Sequence, residues 1–262
     1  MFAINLTALL PLRKAADEAA EQLTQILFGE LFYVIEQIDR WSKIRNVADN
    51  YEGWVDSKMI TRLDQLEFTR LLYAPVHYIS ESLSKATIKD ETIYLPMGSF
   101  LRGYDPETEI YQVNDAVYSI PKDQTCVAPL ERSTDVLMQM ANKMMNAPYL
   151  WGGKSILGLD CSGLTQITFR MVGIVLPRDA RQQIQHGQVI PSLKEARTGD
   201  LLFFATADQK VKHVGIYVAP NKVLHASGYV HTDDLDAEGN ILSKITTYTH
   251  YHLAGIRRFI VS

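Results

Sequence analysis

Over the first 60 residues, apolar positions come in short runs with polar neighbours at alternate sites. They lie at Leu31–Gln37, Trp41–Val47 and Gly53–Val55, broken at Gly29, Asp39 and Asp49-Asn50. Period-two runs of this length, bounded by turn-forming residues, predict short strands, and their close spacing predicts a small barrel. Ala15–Leu27 is Ala-rich and acidic in its first half, which suits either a helical insertion or a long polar loop. A second set of runs, Thr92–Pro96, Thr108–Val113 and Ala116–Ile120, is separated by Met97-Gly98, Tyr104-Asp105-Pro106 and Asn114-Asp115 and predicts a second barrel.

The period changes near Pro129. Ser133 can cap a helix that carries Val136, Leu137, Met140, Met144 and Met145 on one face, and methionines at that spacing are core filler. A second helix is predicted over Ser162–Val172, ended by Gly173. Beyond it Leu201–Phe204, Val211–Val218, Val223–Ser227 and Ala254–Phe259 read as strands, with Pro220-Asn221 turning the chain between the middle two. Helices followed by a run of strands predict an α+β domain. The pattern therefore divides the chain into barrels at residues 1–62 and 63–128 and an α+β domain at 129–262.

Composition narrows the functions this architecture can serve. Thirty acidic against 26 basic residues give a net charge of −4 without a basic run, so nucleic acid is not an expected partner. No apolar stretch approaches the roughly 18 residues of a membrane helix. Phe2–Leu12 carries Asn5 and Thr7 and lacks a basic start, and it reads as a strand instead of a leader. A cytoplasmic location is expected if Met1 is the native start; a periplasmic or secreted protein trimmed of its leader would look the same. A monomer without cofactor or metal is expected. Cys126 and Cys161 are the two cysteines, too few to scaffold a chain of 262 residues, so one of them is a candidate for chemistry.

Cys161 lies in Asp160-Cys161-Ser162-Gly163, where a Gly-rich loop enters a predicted helix. A sulfur there faces unpaired backbone N–H groups and the positive end of the helix dipole, conditions that lower a thiol pKa from about 8.5 towards roughly 3.5–7.5. The Cys161 N–H can point at a tetrahedral oxyanion, and Gly163 is expected to keep the approach open. Cys126, between domains and without a neighbouring His or Gly-rich loop, reads as structural. A cysteine nucleophile needs a base, for which His213 in Val211–Val218 is the candidate, with His225 as the group that orients it. Geometry tests the pair. A three-residue loop at 219–221 sets His225 opposite Gly215, a diagonal neighbour of His213 about 7–8 Å away at Cα; a four-residue loop without a bulge puts the two on opposite faces. A zinc site of Cys161, His213 and His225 lacks close ligand spacing and an obvious fourth ligand.

These residues sit in motifs that resemble the NlpC/P60 family of bacterial cell-wall peptidases, a papain-related group. The likeness runs through Pro148-Tyr149-Leu150-Trp151-Gly152-Gly153-Lys154-Ser155, Gly158-Leu159-Asp160-Cys161-Ser162-Gly163-Leu164, Leu176-Pro177-Arg178-Asp179, Gly199-Asp200-Leu201-Leu202-Phe203-Phe204 and His213-Val214-Gly215-Ile216-Tyr217. It implies a papain-like fold, with Cys161 and His213 as catalytic pair and His225 as the polar third member. Leu10-Pro11-Leu12-Arg13, Gln25-Ile26-Leu27-Phe28-Gly29-Glu30 and Tyr51-Glu52-Gly53-Trp54-Val55 resemble bacterial SH3-like modules, more weakly continued over 63–126.

Two such modules before the peptidase are similar to enzymes that cut the γ-D-glutamyl bond to a diamino acid in murein peptides starting with free L-Ala, releasing L-Ala-γ-D-Glu. In those enzymes the first module helps to recognise the substrate, a role the resemblance assigns here to Glu30 and Tyr51. A free ammonium needs carboxylates, for which Asp160 and Asp179 are candidates, and a D-Glu carboxylate needs donors, for which Ser162 and Arg178 are candidates. Ala180 stands where relatives often carry a hydroxyl. Two other functions stay open: a non-catalytic peptidoglycan-binding protein, and a wall-cleaving endopeptidase or amidase with the same Cys-His pair.

Overall fold

The computed structural model describes residues 1–243 and 252–260 and divides the chain into two compact units, Met1–Leu130 and Glu131–Ser262. In the first, a seven-stranded antiparallel sheet has the order Gln22–Leu27, Leu9–Arg13, Glu52–Asp56, Trp41–Asn46, Leu31–Ile38, Phe2–Ile4, Thr61–Leu63. Period-two alternation sends Leu10 and Leu12 inward to meet Ile26, Phe32, Ile44 and Val55. Ala3, near one edge of this sheet, joins that core with Ile26 of the opposite edge, and the Asn5 amide donates to the Ile26 carbonyl at 2.9 Å. The sheet therefore curls round its own core. Residues 14–21 form turns and bends, and 22–27 a strand, so the Ala-rich stretch is a loop and not a helix.

The remainder of this unit holds a three-stranded sheet (Phe100–Arg102, Val76–Ile79, Thr125–Val127), a four-stranded one (Glu91–Pro96, Leu83–Ile88, Ala116–Ser119, Ile110–Val113) and helix α1, Gln65–Tyr73. The helix has no counterpart among the predicted elements; Asp64 caps it by accepting from Glu67 N at 2.8 Å. Phe68 and Leu71 of α1 belong to one core cluster with Ile4, Phe28 and Leu31 from the first 62 residues and with Tyr111 and Tyr118 from beyond them. The two β-rich regions read as separate barrels thus share apolar burial.

The second unit is α+β. Helix α2, Thr134–Asn142, starts where Ser133 accepts from Val136 N, and buries Leu137, Met140 and Ala141. Helix α3, Cys161–Met171, is buried at all 11 positions. Its polar side chains find partners: the Thr165 hydroxyl donates to Gln183 Oε1 at 2.9 Å and the Gln166 amide to Leu176 O at 3.0 Å. A short helix α4, Ala180–Gln183, follows. The sheet has seven strands in the order Gln188–Ile190, His252–Arg258, Leu201–Ala205, Val211–Val218, Lys222–Ser227, Tyr229–Leu235, Ile241–Leu242. Helix α3 packs against its central strands Val211–Val218 and Lys222–Ser227, while Leu202, Phe204, Tyr217 and Val223 belong to a cluster with Ile190, Leu235 and Ile256.

Candidate active site

The loop that delivers Cys161 is fixed by close backbone contacts. A Cβ on Gly163 would stand 2.2 Å from the Gly153 carbonyl oxygen, and one on Gly153 would stand 2.3 Å from that of Gly158. Gly163 thus lets the helix start press on the Gly152-Gly153 turn, a packing role that the sequence reading had not given it. Asp160 is the N-cap of α3: one carboxylate oxygen accepts from Gly163 N at 2.7 Å and the other from Gly152 N at 2.8 Å.

Arg178, 2% exposed, completes the frame. Its guanidinium donates to both Asp160 oxygens at 2.6 and 3.0 Å and to the Ser162 hydroxyl at 2.8 Å. A bidentate buried pair of this kind is a strong, geometrically specific contact that holds both groups in place. Asp160, Ser162 and Arg178 are thus brought together beside Cys161 as one hydrogen-bonded network. Asp179 precedes α4, where its N–H donates to Gln182 Oε1 and its carboxylate pairs with exposed Arg181 at 3.1 Å. Glu30 and Tyr51 lie in the first unit. Glu30 is buried and accepts from Leu27 N at 2.9 Å, and Tyr51 packs on the first barrel's core with Met59 and Ile60.

Cys161 opens α3, so its N–H is among the donors without an intrahelical acceptor. Its sulfur accepts from the N–H groups of Val214 and Ser162, which seats it against the strand residue that follows His213. Burial, then the adjacent Asp160 carboxylate, pushes the thiol up to about 12, against the lowering by these N–H groups and Arg178. The helix start alone led to the opposite expectation, because desolvation outweighs it here. Burial, reinforced by His225 and His231, also holds His213 well below the usual imidazole value. Both shifts favour the uncharged forms, a thiol at Cys161 and a neutral imidazole at His213.

The strands Val211–Val218 and Lys222–Ser227 pair Val218 with Lys222 and Ile216 with Leu224, leaving the three-residue loop 219–221. His213 and His225 then share a face, and His213 Nε2 meets His225 Nδ1 at 2.7 Å. The chain of contacts continues past the residues named from the sequence. His225 Nε2 lies 3.2 Å from Asp233 Oδ2, and so does His231 Nε2, while His231 Nδ1 donates to Tyr229 O at 2.8 Å. Asp233 is fully buried. Both added residues come from strand Tyr229–Leu235, which the apolar pattern missed; the alternating burial of His231, Asp233 and Leu235 is its signal. Donor atoms of His225, His231 and Asp233 lie within 4.8 Å of one another, close enough to share a cation, and are occupied by the hydrogen bonds just described. Cys126 sits in strand Thr125–Val127 of the first unit, hydrogen-bonded to Val76–Ile79.

Comparison with known proteins places these features in a family. The NlpC/P60 family profile matches residues 146–250, and that of the bacterial dipeptidyl-peptidase SH3 domain matches residues 12–60. A gamma-D-glutamyl-L-lysine dipeptidyl-peptidase of Bacillus subtilis (strain 168) is 28% identical over 215 residues, 78% of this chain and 71% of the relative. Dipeptidyl-peptidase 6 of Lysinibacillus sphaericus is 29% identical over 248 residues, 87% of this chain and 88% of the relative. In fold, the crystal structure of an NlpC/P60 family protein from Bacillus cereus ATCC 10987 matches with a TM-score of 0.86 over 100% of both chains at 21% identity. The chain thus carries an NlpC/P60 domain at residues 146–250, a domain of cysteine peptidases, and a bacterial SH3-like domain ahead of it.

Proposed function

We propose that the protein hydrolyses the bond between γ-D-glutamate and a diamino acid in murein peptides with a free N-terminal L-Ala, releasing L-Ala-γ-D-Glu. The observation that carries this reading is the reach of the similarity. The Bacillus subtilis relative named for γ-D-glutamyl-L-lysine dipeptidyl-peptidase activity matches 78% of the chain, more than the peptidase unit alone contains. Cys161 is the nucleophile. As its sulfur attacks the carbonyl, the S–H bond breaks and His213 takes the proton at Nδ1, the ring nitrogen turned away from His225. The same proton then goes to the leaving amine, and a water activated by His213 hydrolyses the thioester. A role in recycling released wall peptides puts this activity in the cytoplasm.

Incubation with L-Ala-γ-D-Glu-L-Lys and its diaminopimelate counterpart, with fragments identified by mass, tests the reading. L-Ala-γ-D-Glu is expected from the intact chain and none from Cys161→Ala, whereas Cys126→Ala retains full turnover. Acetylating the substrate's L-Ala removes a charged donor whose hydrogen bonds are worth about 1.5–3 kcal/mol, a ten- to hundredfold fall in kcat/KM. Equal turnover of free and acetylated peptides overturns the proposal in favour of a wall-cleaving endopeptidase.

A further inference from the structure

We infer that Asp233 is a positioning residue, which fixes the proton on His225 Nε2 and thereby keeps His213 Nδ1 unprotonated towards the Cys161 thiol. The inference rests on His213 as base, not on the choice of peptide substrate.

The argument is a count of protons along one buried chain. Tyr229 O can only accept, so His231 carries a proton on Nδ1. Two imidazole nitrogens, His231 Nε2 and His225 Nε2, are aimed at the single oxygen Asp233 Oδ2, each at 3.2 Å. Two contacts need two protons. One lies between His231 and the carboxylate; whichever of the two holds it, Oδ2 keeps a lone pair, and the second proton is satisfied on His225 Nε2. Nδ1 of His225 is then an acceptor, and the 2.7 Å contact is made by a proton on His213 Nε2. His213 Nδ1 is left with its lone pair. Burial of His213, His225, His231 and Asp233 denies water the chance to satisfy any other arrangement.

Asparagine at 233 reverses the count. An amide nitrogen offers two protons, one to each Nε2, and so accommodates two neutral imidazoles that an amide oxygen cannot. His225 then carries its proton on Nδ1 and donates to His213 Nε2, and His213 is protonated on the nitrogen that should act as base. A tautomer reversed in this way in a Ser-His-Asp triad lowers kcat about 10⁴-fold. Asp233→Ala imposes no donor, so both tautomers remain accessible and its loss is smaller.

The test combines kinetics with imidazole ¹⁵N NMR. In the otherwise native Cys161→Ala protein, without substrate, the protonated nitrogens are expected to be Nε2 of His213 and Nε2 of His225; protonation of either residue at Nδ1 overturns the inference whatever the substrate is. In active protein, Asp233→Asn is expected to lower kcat at least a hundredfold with KM within threefold, and Asp233→Ala less. A merely structural role predicts the reverse order, with the larger cavity the worse variant, and that order overturns the inference. If Asp233→Asn does not fold, the NMR assignment on Cys161→Ala decides alone.

Discussion

Arg178 shows how a side chain's type leaves its task open. Near Cys161 an arginine reads as a carboxylate receptor, and in the fold its guanidinium spans both oxygens of Asp160 and the Ser162 hydroxyl while only 2% exposed, the place of a frame member. The two readings predict different measurements. A receptor that is lost raises KM and leaves stability unchanged. A frame member that is lost strands a buried carboxylate at about 3–5 kcal/mol. Arg178→Met is therefore expected to lower unfolding free energy in denaturant by that amount and to reduce kcat with it. Arg178→Lys restores a charge without the fork and recovers part of the stability. Unchanged stability with a raised KM would return Arg178 to the role of receptor. The sequence carries the residue and its spacing from Cys161, but nothing in it says that Asp160 folds back on the arginine; that depends on Asp160 serving as N-cap of α3.

At the scale of elements, legibility followed the apolar pattern. Strands with apolar alternation were readable, and so were Ser133 as the cap of α2 and Gly173 as the end of α3, where its φ is +75°. The sequence left a three- and a four-residue loop open at this hairpin, and the pairing of Val218 with Lys222 selects the three-residue loop 219–221 that puts His213 and His225 on one face. Tyr229–Leu235 escaped because its inward positions include His231 and Asp233, polar residues that pattern reading sends to solvent. They are buried because they satisfy each other, a property of tertiary pairing and not of local sequence. The same limit applies to the Gly-rich motif, whose glycines are visible as turn formers but whose closest constraint is contact between segments. Gly163 has an ordinary helical place, yet a methyl there meets the Gly153 carbonyl at 2.2 Å. Gly163→Ala is thus expected to cost on the order of 1–3 kcal/mol by overpacking and to displace the helix start that carries Cys161. Thermal unfolding and single-turnover kinetics would check it: a stable, fully active variant means that the turn yields without moving the nucleophile.

For the whole molecule, burial of neutral imidazoles ties stability to pH in both units. Desolvation lowers His77 in the first unit; in the second it lowers His213, with His225 and His231 adding repulsion, and His225, where Asp233 opposes part of the shift. The sign follows from which state binds the extra proton. Unfolded, each imidazole titrates near 6.5; folded, each titrates lower, so between the two values only the unfolded chain takes up the proton. The stabilising contribution is complete above about pH 6.5 and is lost as pH falls through the depressed folded values. Each such group contributes a slope of up to about 1.4 kcal/mol per pH unit in that window. Carboxylates paired in the fold, such as Glu67 with Arg70, are also lowered, but their window opens below the ordinary carboxylate value and does not overlap the first part of the histidine fall. Unfolding temperature is therefore expected to hold between pH 8 and 7 and to drop from pH 6.5 to 5, with His213→Gln flattening the drop in the second unit because it removes the largest lowering among the three. A flat profile from pH 7 to 5 in the unaltered chain would mean that these imidazoles take up protons equally in the folded and unfolded states, so that burial does not hold them neutral below pH 6.5.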